Sequence, residues 1–125
     1  MATVASGHLQ TRGGFPLGVA QTGNADTTDT LDRGSHRGPA AVVIASTVGA
    51  TPTVTVQILG SVDGTNWHKI AYALVATPET VSVADITITT ATTTTYLLRP
   101  DHAWRFLKVN YAANTNVTLT ATAYL

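Results

Sequence analysis

Residues able to do chemistry are few in this chain and stand apart from one another. The four histidines, His8, His36, His68 and His102, form no HxH or HxxxH pair. A histidine metal site would therefore have to be assembled by the fold or between subunits. Asp26, Asp29 and Asp32 lie three apart in a glycine-rich stretch, a spacing that suits carboxylate ligation of calcium. The stretch lacks the closing bidentate Glu and the central Gly of an EF-hand loop. Arg33 and Arg37 nearby offer solvated ion pairs instead. The single glutamate, Glu79, follows Pro78 in a turn, and Asp63 and Asp101 read as turn formers rather than a catalytic carboxylate pair. No serine occupies a G-x-S-x-G elbow, and no GxGxxG or P-loop occurs. Asn116-Val117-Thr118 matches a glycosylation sequon, a match that is common by chance. The expectation is a protein without catalytic residues, metal or cofactor: not an enzyme.

Composition bounds the remaining classes. The chain has 125 residues and zero net charge, with only 11% of residues charged. No basic face can then neutralise a row of phosphates, which argues against nucleic-acid binding. Cysteine is absent, so there is no disulfide framework and no thiolate ligand or nucleophile. The N-terminus MATVASGHLQTRGG has no apolar core of a signal peptide, and no stretch approaches the ~18 apolar residues of a membrane span. Threonine accounts for 24 of the 125 residues, whereas there are two lysines, one methionine and one glutamate. Thr and Val, branched at Cβ, fit a pleated sheet, and the helix formers are missing. No window shows the i, i+3, i+4, i+7 spacing of an amphipathic helix. The fold class is all-β.

The elements that would position any site start with Thr53–Leu74, TVTVQILGSVDGTNWHKIAYAL. Val54, Val56 and Ile58 alternate with Thr53, Thr55 and Gln57, the period of a strand with one buried face. Gly60 to Asn66 breaks the pattern at an Asp63-Gly64 pair, which suits positive φ. Trp67 restarts the chain, and Ile70, Tyr72 and Leu74 alternate again, so this stretch reads as a β-hairpin. The motif residues Asp63, Gly64, Asn66 and Trp67 form its tip, with Trp67 expected to pack back over Gly60–Gly64 or the sheet edge.

Residues 1–38 differ from the rest. They hold most of the glycines and three of the six aspartates, with apolar residues thinly spread. Such a segment cannot bury enough surface to offset its own ordering entropy. It reads as an extended N-terminal arm in front of a domain at 39–125. Its anchors would be Leu9, Phe15, Leu17 and Val19, ordered by lying on a neighbouring subunit, with a short strand around Thr28–Leu31.

The domain continues with Ala40–Val48, a small-apolar run suited to a strand covered on both faces, closed by a turn at Gly49–Pro52. Val81 and Val83 are odd-numbered while Ile86 and Ile88 are even, so a bulge or sheet-switching bend is expected at Ala84-Asp85. Thr89–Thr95 reads as a loop or exposed edge, and Tyr96–Arg99 as a strand stopped by Pro100. In Trp104–Tyr111 the residues Leu107, Val109 and Tyr111 share a face. Asn114–Asn116 reads as a turn, and Val117, Leu119, Ala121, Ala123 and Leu125 alternate to the end. Roughly seven to eight strands joined by Gly, Pro, Asn and Asp turns make an antiparallel β-sandwich or jelly roll.

The order of apolar alternation, GSVDGTNW, a Tyr-bearing strand, then WRFLKVNY and a final Val/Thr strand resembles small β-sandwich structural proteins of tailed bacteriophages. Capsid decoration or cement proteins are the nearest fit. The likeness spans residues 29–125, and Ser61–Trp67 is its strongest piece. A similar S-x-D-G-x-x-W turn occurs in discoidin-type carbohydrate- or lipid-binding domains, which are usually longer and often exported and cysteine-bearing. The phage resemblance implies a virion structural role on the capsid surface, after synthesis in the host cytoplasm. It implies a homo-oligomer, a trimer by preference, in contact with the major capsid protein or other virion proteins. The alternative function is a carbohydrate-binding module on a fibre or tail component, with Trp67, Trp104 or Tyr72 as a stacking platform.

Overall fold

The computed structural model describes residues 14–34, 39–99 and 104–124, and no helix occurs among them. The protein is all-β. The described residues form nine strands: β1 (Gly14–Gln21), β2 (Leu31–Asp32), β3 (Ala41–Ser61), β4 (His68–Lys69), β5 (Ala71–Leu74), β6 (Thr77–Ser82), β7 (Ile86–Ile88), β8 (Thr92–Arg99) and β9 (Phe106–Tyr124). They join in one antiparallel sheet ordered β1-β9-β3-β8-β5-β6, with β2 added to β9 and with β4 and β7 added to β3.

Two long strands form its spine. From β3, Val42, Ile44, Val54, Val56 and Ile58 are buried; from β9, Leu107, Val109, Tyr111, Val117, Leu119, Ala121 and Ala123. All join one apolar cluster, in which each large side chain contributes about 1.5–3 kcal/mol. The turns expected at Gly49–Pro52 and Asn114–Asn116 are instead bends inside these two continuous strands. The register shifts between Val48 and Thr53, opposite Val117 and Thr115, so both strands turn the same corner together. Thr51, Ala113 and Asn116 carry the positive φ that the corner demands. Asn116 Nδ2 donates to Ala50 O at 2.6 Å, and the Asn114 side chain brackets Val117 through its N–H and C=O. Turn-forming residues are present, but antiparallel partners on both sides hold the chain in the sheet.

The expected hairpin forms at its tip only. Leu59 pairs with Lys69 and Gly60 with His68, but Ala71 already pairs with Arg99 of β8. At the crossing, Ile70 N–H donates to Ile58 O at 2.9 Å. The chain thereby bridges the far half of β3 to β8, and the sheet folds over its own apolar face. The bend expected at Ala84-Asp85 is present: β6 pairs with β5, whereas β7 pairs with Val54–Val56 of β3. Val81 and Val83 are exposed, however, so the parity change marks a change of environment as well as a change of partner.

The described part of the expected arm lies on this chain's own sheet. β1 pairs with the C-terminal half of β9, and β2 with its start. Between them, Thr27 N–H donates to Val109 O at 2.7 Å and Tyr111 N–H to Ala25 O at 2.9 Å. Main-chain hydrogen bonds to the free edge of β9 order a segment too poor in apolar residues to build a core of its own. Of the described anchors Leu17 alone reaches the core, at 1% exposure; Phe15 is half-buried and Val19 is exposed. The anchor Leu9 lies outside the described residues.

Candidate functional site

The Ser61–Trp67 motif folds into a closed knuckle. Asp63 Oδ1 accepts the N–H groups of Thr65 and Asn66, each at 2.8 Å, and the Ser61 hydroxyl at 2.9 Å. Its Oδ2 accepts Asn66 Nδ2 at 2.8 Å. The buried Ser61 Oγ in turn accepts Gly64 N–H at 2.8 Å, and Gly64 sits at φ +79°. Hydrogen bonds from Asn66 and Thr65 N–H, then from the Asn66 and Ser61 side chains, hold the Asp63 carboxyl far below the usual carboxylate range. Its lone pairs are spent on its own loop. These bonds make the knuckle a folding element.

The rings nearest the turn glycines do not include that of Trp67. Trp67 is half-buried, with Lys108 Nζ 4.2 Å from the centre of its ring. The ring over Gly60 is Trp104, so close that a Cβ on Gly60 would stand 2.7 Å from Trp104 Cδ2 and 2.6 Å from Ile70 Cδ1. Phe106 is the ring nearest Gly64. Pairing accounts for those rings: Ser61 lies opposite Phe106, so β9 brings its own aromatics to the tip. A ring directly after a turn was the visible signal; a ring 40 residues downstream gave none. For a sugar platform an open indole face is needed; Lys108 Nζ lies over one face of half-buried Trp67, and Trp104 packs between Gly60 and His68. Tyr72 is packed against the core, edge-on to Tyr96.

The spaced aspartates are separated by the fold. Asp26 takes Lys108 Nζ at 2.7 Å and Asn110 Nδ2 at 2.9 Å. Partial burial pushes its carboxyl up, and those hydrogen bonds with the Lys108 charge outweigh it and lower it. Asp32 holds Arg105 through two hydrogen bonds, at 2.9 and 3.1 Å. Asp85 bonds Lys69 at 3.0 Å and Gln57 at 3.1 Å. Among the described residues no three His, Asp or Glu side chains converge as metal ligands. Exposed His68 lies on β4, while His8, His36, His102, Arg37 and Asp101 lie outside the described residues.

The outer face of the sheet is a further organised surface, which the motifs did not point to. Directly paired residues share a face. One complete row therefore runs Gly14, Tyr124, Ala41, Leu97, Ala73 and Val81 across six strands. The next row holds Thr122, Val43 and Thr95, and beyond it stand Thr120, Ala45 and Thr93. Ala73, though buried, is absent from the core cluster, as its outward position requires. The threonine alternation of β9 (Thr118, Thr120, Thr122) is thus the outer complement of Val117, Leu119 and Ala121. That complement was the readable signal.

No family model and no curated protein sequence matches the chain. The fold is similar to that of a prophage-derived protein. That structure, the SPBc2 prophage-derived protein YomS, superposes at a TM-score of 0.62 over 90% of either chain, with 7% sequence identity. At that identity the likeness speaks for the fold alone. It is an independent route to the same all-β architecture that the residue pattern implies.

Proposed function

We propose that this chain is a structural protein of a bacteriophage particle, a decoration or cement protein that stabilises the head through subunit contacts. It acts without catalysis, metal or cofactor, on the capsid surface after synthesis in the host cytoplasm. Its partners are further copies of itself, a trimer by preference, and the major capsid protein or other virion proteins. The observation that carries the reading is the outer face: a broad sheet surface made mainly of Thr, Ala and Val, with Arg99 its one charged side chain along β8 and residues 117–124 of β9. A free monomer gains nothing from such a surface, whereas a protein built to lie against repeating neighbours does. The similarity in fold to a prophage-derived protein supports the same class.

The test is occupancy and consequence. Mass spectrometry and electron cryomicroscopy of purified particles should find the chain at regular sites on the head. Heads lacking it should release their contents at lower temperature, and added purified protein should restore them. Particles that contain no copy of the chain would refute the reading.

A further inference from the structure

We infer that residues 14–34 are an exchangeable arm. In the assembled form each copy lays them along β9 of its neighbour, in the place that the neighbour's own arm has left. This exchange rests on the oligomer proposed above and names the contact that joins its copies. The occupant of the site is already seated on it within one chain, and the same edge of β9 is present in every other copy.

Three observations single out this segment. The first is how it is held. Thr27 N–H donates to Val109 O and Arg33 N–H to Arg105 O, each at 2.7 Å, and Tyr111 N–H donates to Ala25 O at 2.9 Å. Lys108 with Asp26 and Arg105 with Asp32 add ion pairs whose carboxylates are exposed, each contributing about 1 kcal/mol or less. Leu17 is the one arm residue in the buried apolar cluster, with Leu31 packed against it. Such a segment lifts at modest cost, and its main-chain bonds form equally well to another copy.

The second is what remains when it lifts. The rest of the cluster comes from Ala40, β3, Ile70, β7, β8 and β9, so the domain keeps its core. Without β1 and β2, β9 is paired with β3 alone and presents a bare edge. A bare edge strand is a template for another strand. Each copy then carries one arm and one vacant edge, and arms passed head to tail close into a ring. A ring of three meets that condition.

The third is the connection. Arg33, whose Nη1 donates to Trp104 O at 3.1 Å, is fixed at the start of β9, and Ala40 O accepts Leu98 N–H at 3.1 Å just before β3. Six residues, 34–39, separate them and can span about 20 Å. Gly34 sits at φ +60° with open space where a Cβ would stand. β2 ends opposite Phe106 and β3 starts opposite Tyr124, so this connection passes from one end of β9 to the other. Redirecting it carries the arm to another copy and leaves β3 in place.

Cysteine trapping tests this, since the chain has no cysteine of its own. Asp26 lies opposite Asn110, and the bonds flanking them make a non-hydrogen-bonded pair. Such pairs bring their Cα atoms to about 4.5 Å, within reach of a disulfide. A chain carrying Asp26→Cys and Asn110→Cys is refolded from urea at about 1 mM, a concentration that competes with a short tether, and then oxidised. Exchange links chains to one another, with covalent trimers favoured, whereas an arm at home gives internally linked monomers. Refolding at about 1 μM should give the internal link instead, because each arm then meets its own edge first. Asp26→Cys chains mixed with Asn110→Cys chains should form a disulfide between unlike variants, and either variant alone should form little. Internal links only at the higher concentration, in chains that sediment as oligomers, would overturn the exchange and leave the oligomer standing. Internal links only, in chains that sediment as monomers, would overturn both, while the virion reading is still decided by the particles. Failure of any disulfide to form would contradict the pairing of the arm with β9 and overturn the exchange with it.

Discussion

Leu17→Ala separates two accounts of the N-terminal segment. If residues 14–21 are an arm for a neighbour, truncating Leu17 changes assembly and leaves the domain's stability alone. In the structure Leu17 is 1% exposed within the core cluster, and its carbonyl accepts Asp29 N–H at 2.9 Å and the Thr28 hydroxyl at 3.3 Å. Removing a fully buried leucine side chain costs about 2–5 kcal/mol, made up of lost transfer energy and a residual cavity. The site is at the edge of the sheet, where β1 can relax toward β9, so a value near 3 kcal/mol is expected. With a urea dependence of about 1.5–2 kcal/mol per molar, the midpoint should fall by roughly 1.5–2 M. Val19→Ala is the control: Val19 is 67% exposed on the same strand, and its loss should stay within about 0.5 kcal/mol. Both are measured by urea unfolding at two protein concentrations, because coupling to association would make the midpoint depend on concentration. A Leu17→Ala midpoint equal to that of Val19→Ala would refute the placement of β1 in this core.

The tryptophans should rank opposite to their sequence prominence. Trp104→Ala, which uncovers Gly60 and Ile70, should cost about 3 kcal/mol; Trp67→Ala, losing mainly its contact with Lys108, should cost about 1 kcal/mol. Urea unfolding of the pair decides it, and the reverse order would contradict the packing described. The Asp63 carboxyl should titrate well below an ordinary value of 3.8 when followed by NMR. A lowered folded-state value means its contribution is present above the unfolded-state value and is lost as pH falls toward the folded one. Asp63→Asn should therefore flatten the acid limb of the stability profile, and a titration midpoint near 4 would contradict the knuckle's hydrogen bonding. Tyr111 is 2% exposed and its hydroxyl has no hydrogen-bond partner among the described residues; burial pushes its pKa up. Tyr111→Phe removes an unsatisfied buried group and should raise thermal stability slightly; a loss above about 1 kcal/mol would show a partner for the hydroxyl.

What was legible in the sequence is what short-range pattern controls. Val54, Val56 and Ile58, and Val117 through Ala123, alternate because one face of each strand is buried, and the structure buries just those residues. The Asp63-Gly64 knuckle closes within six residues, so its chemistry was also readable. The corners at Gly49–Pro52 and Ala113–Asn116 were not. Gly, Pro and Asn announce that a chain changes direction, but whether it reverses or merely bends depends on the strand opposite. Here two corners face each other across the same ladder, a relation between residues more than 60 apart. The low apolar content of residues 14–34 was misleading for a similar reason. Such a segment can be ordered by main-chain hydrogen bonds to an edge, and composition does not register those.

The edges bear on how copies would meet. An open strand edge invites strand addition, and head-to-tail addition without closure yields fibres. Both ends of this sheet are unsuited to it. β1 has Pro16, which offers no N–H, two register shifts and Ala20 at φ 51°. At the other end β6 slips register between Ala73 and Leu74, and that slip sets Pro78, Glu79 and Thr80 out of the regular ladder. Irregular edges of this kind resist strand addition, while the flat face between them carries Tyr124, Leu97 and Val81. Association through a self-complementary face closes at two copies, and a head-to-tail face contact closes when its rotation completes a ring, whereas strand addition at open edges need not close. A protein that must occupy discrete positions on a repeating surface requires a contact that closes, and the distribution of prolines, bulges and uncharged side chains over this sheet favours it.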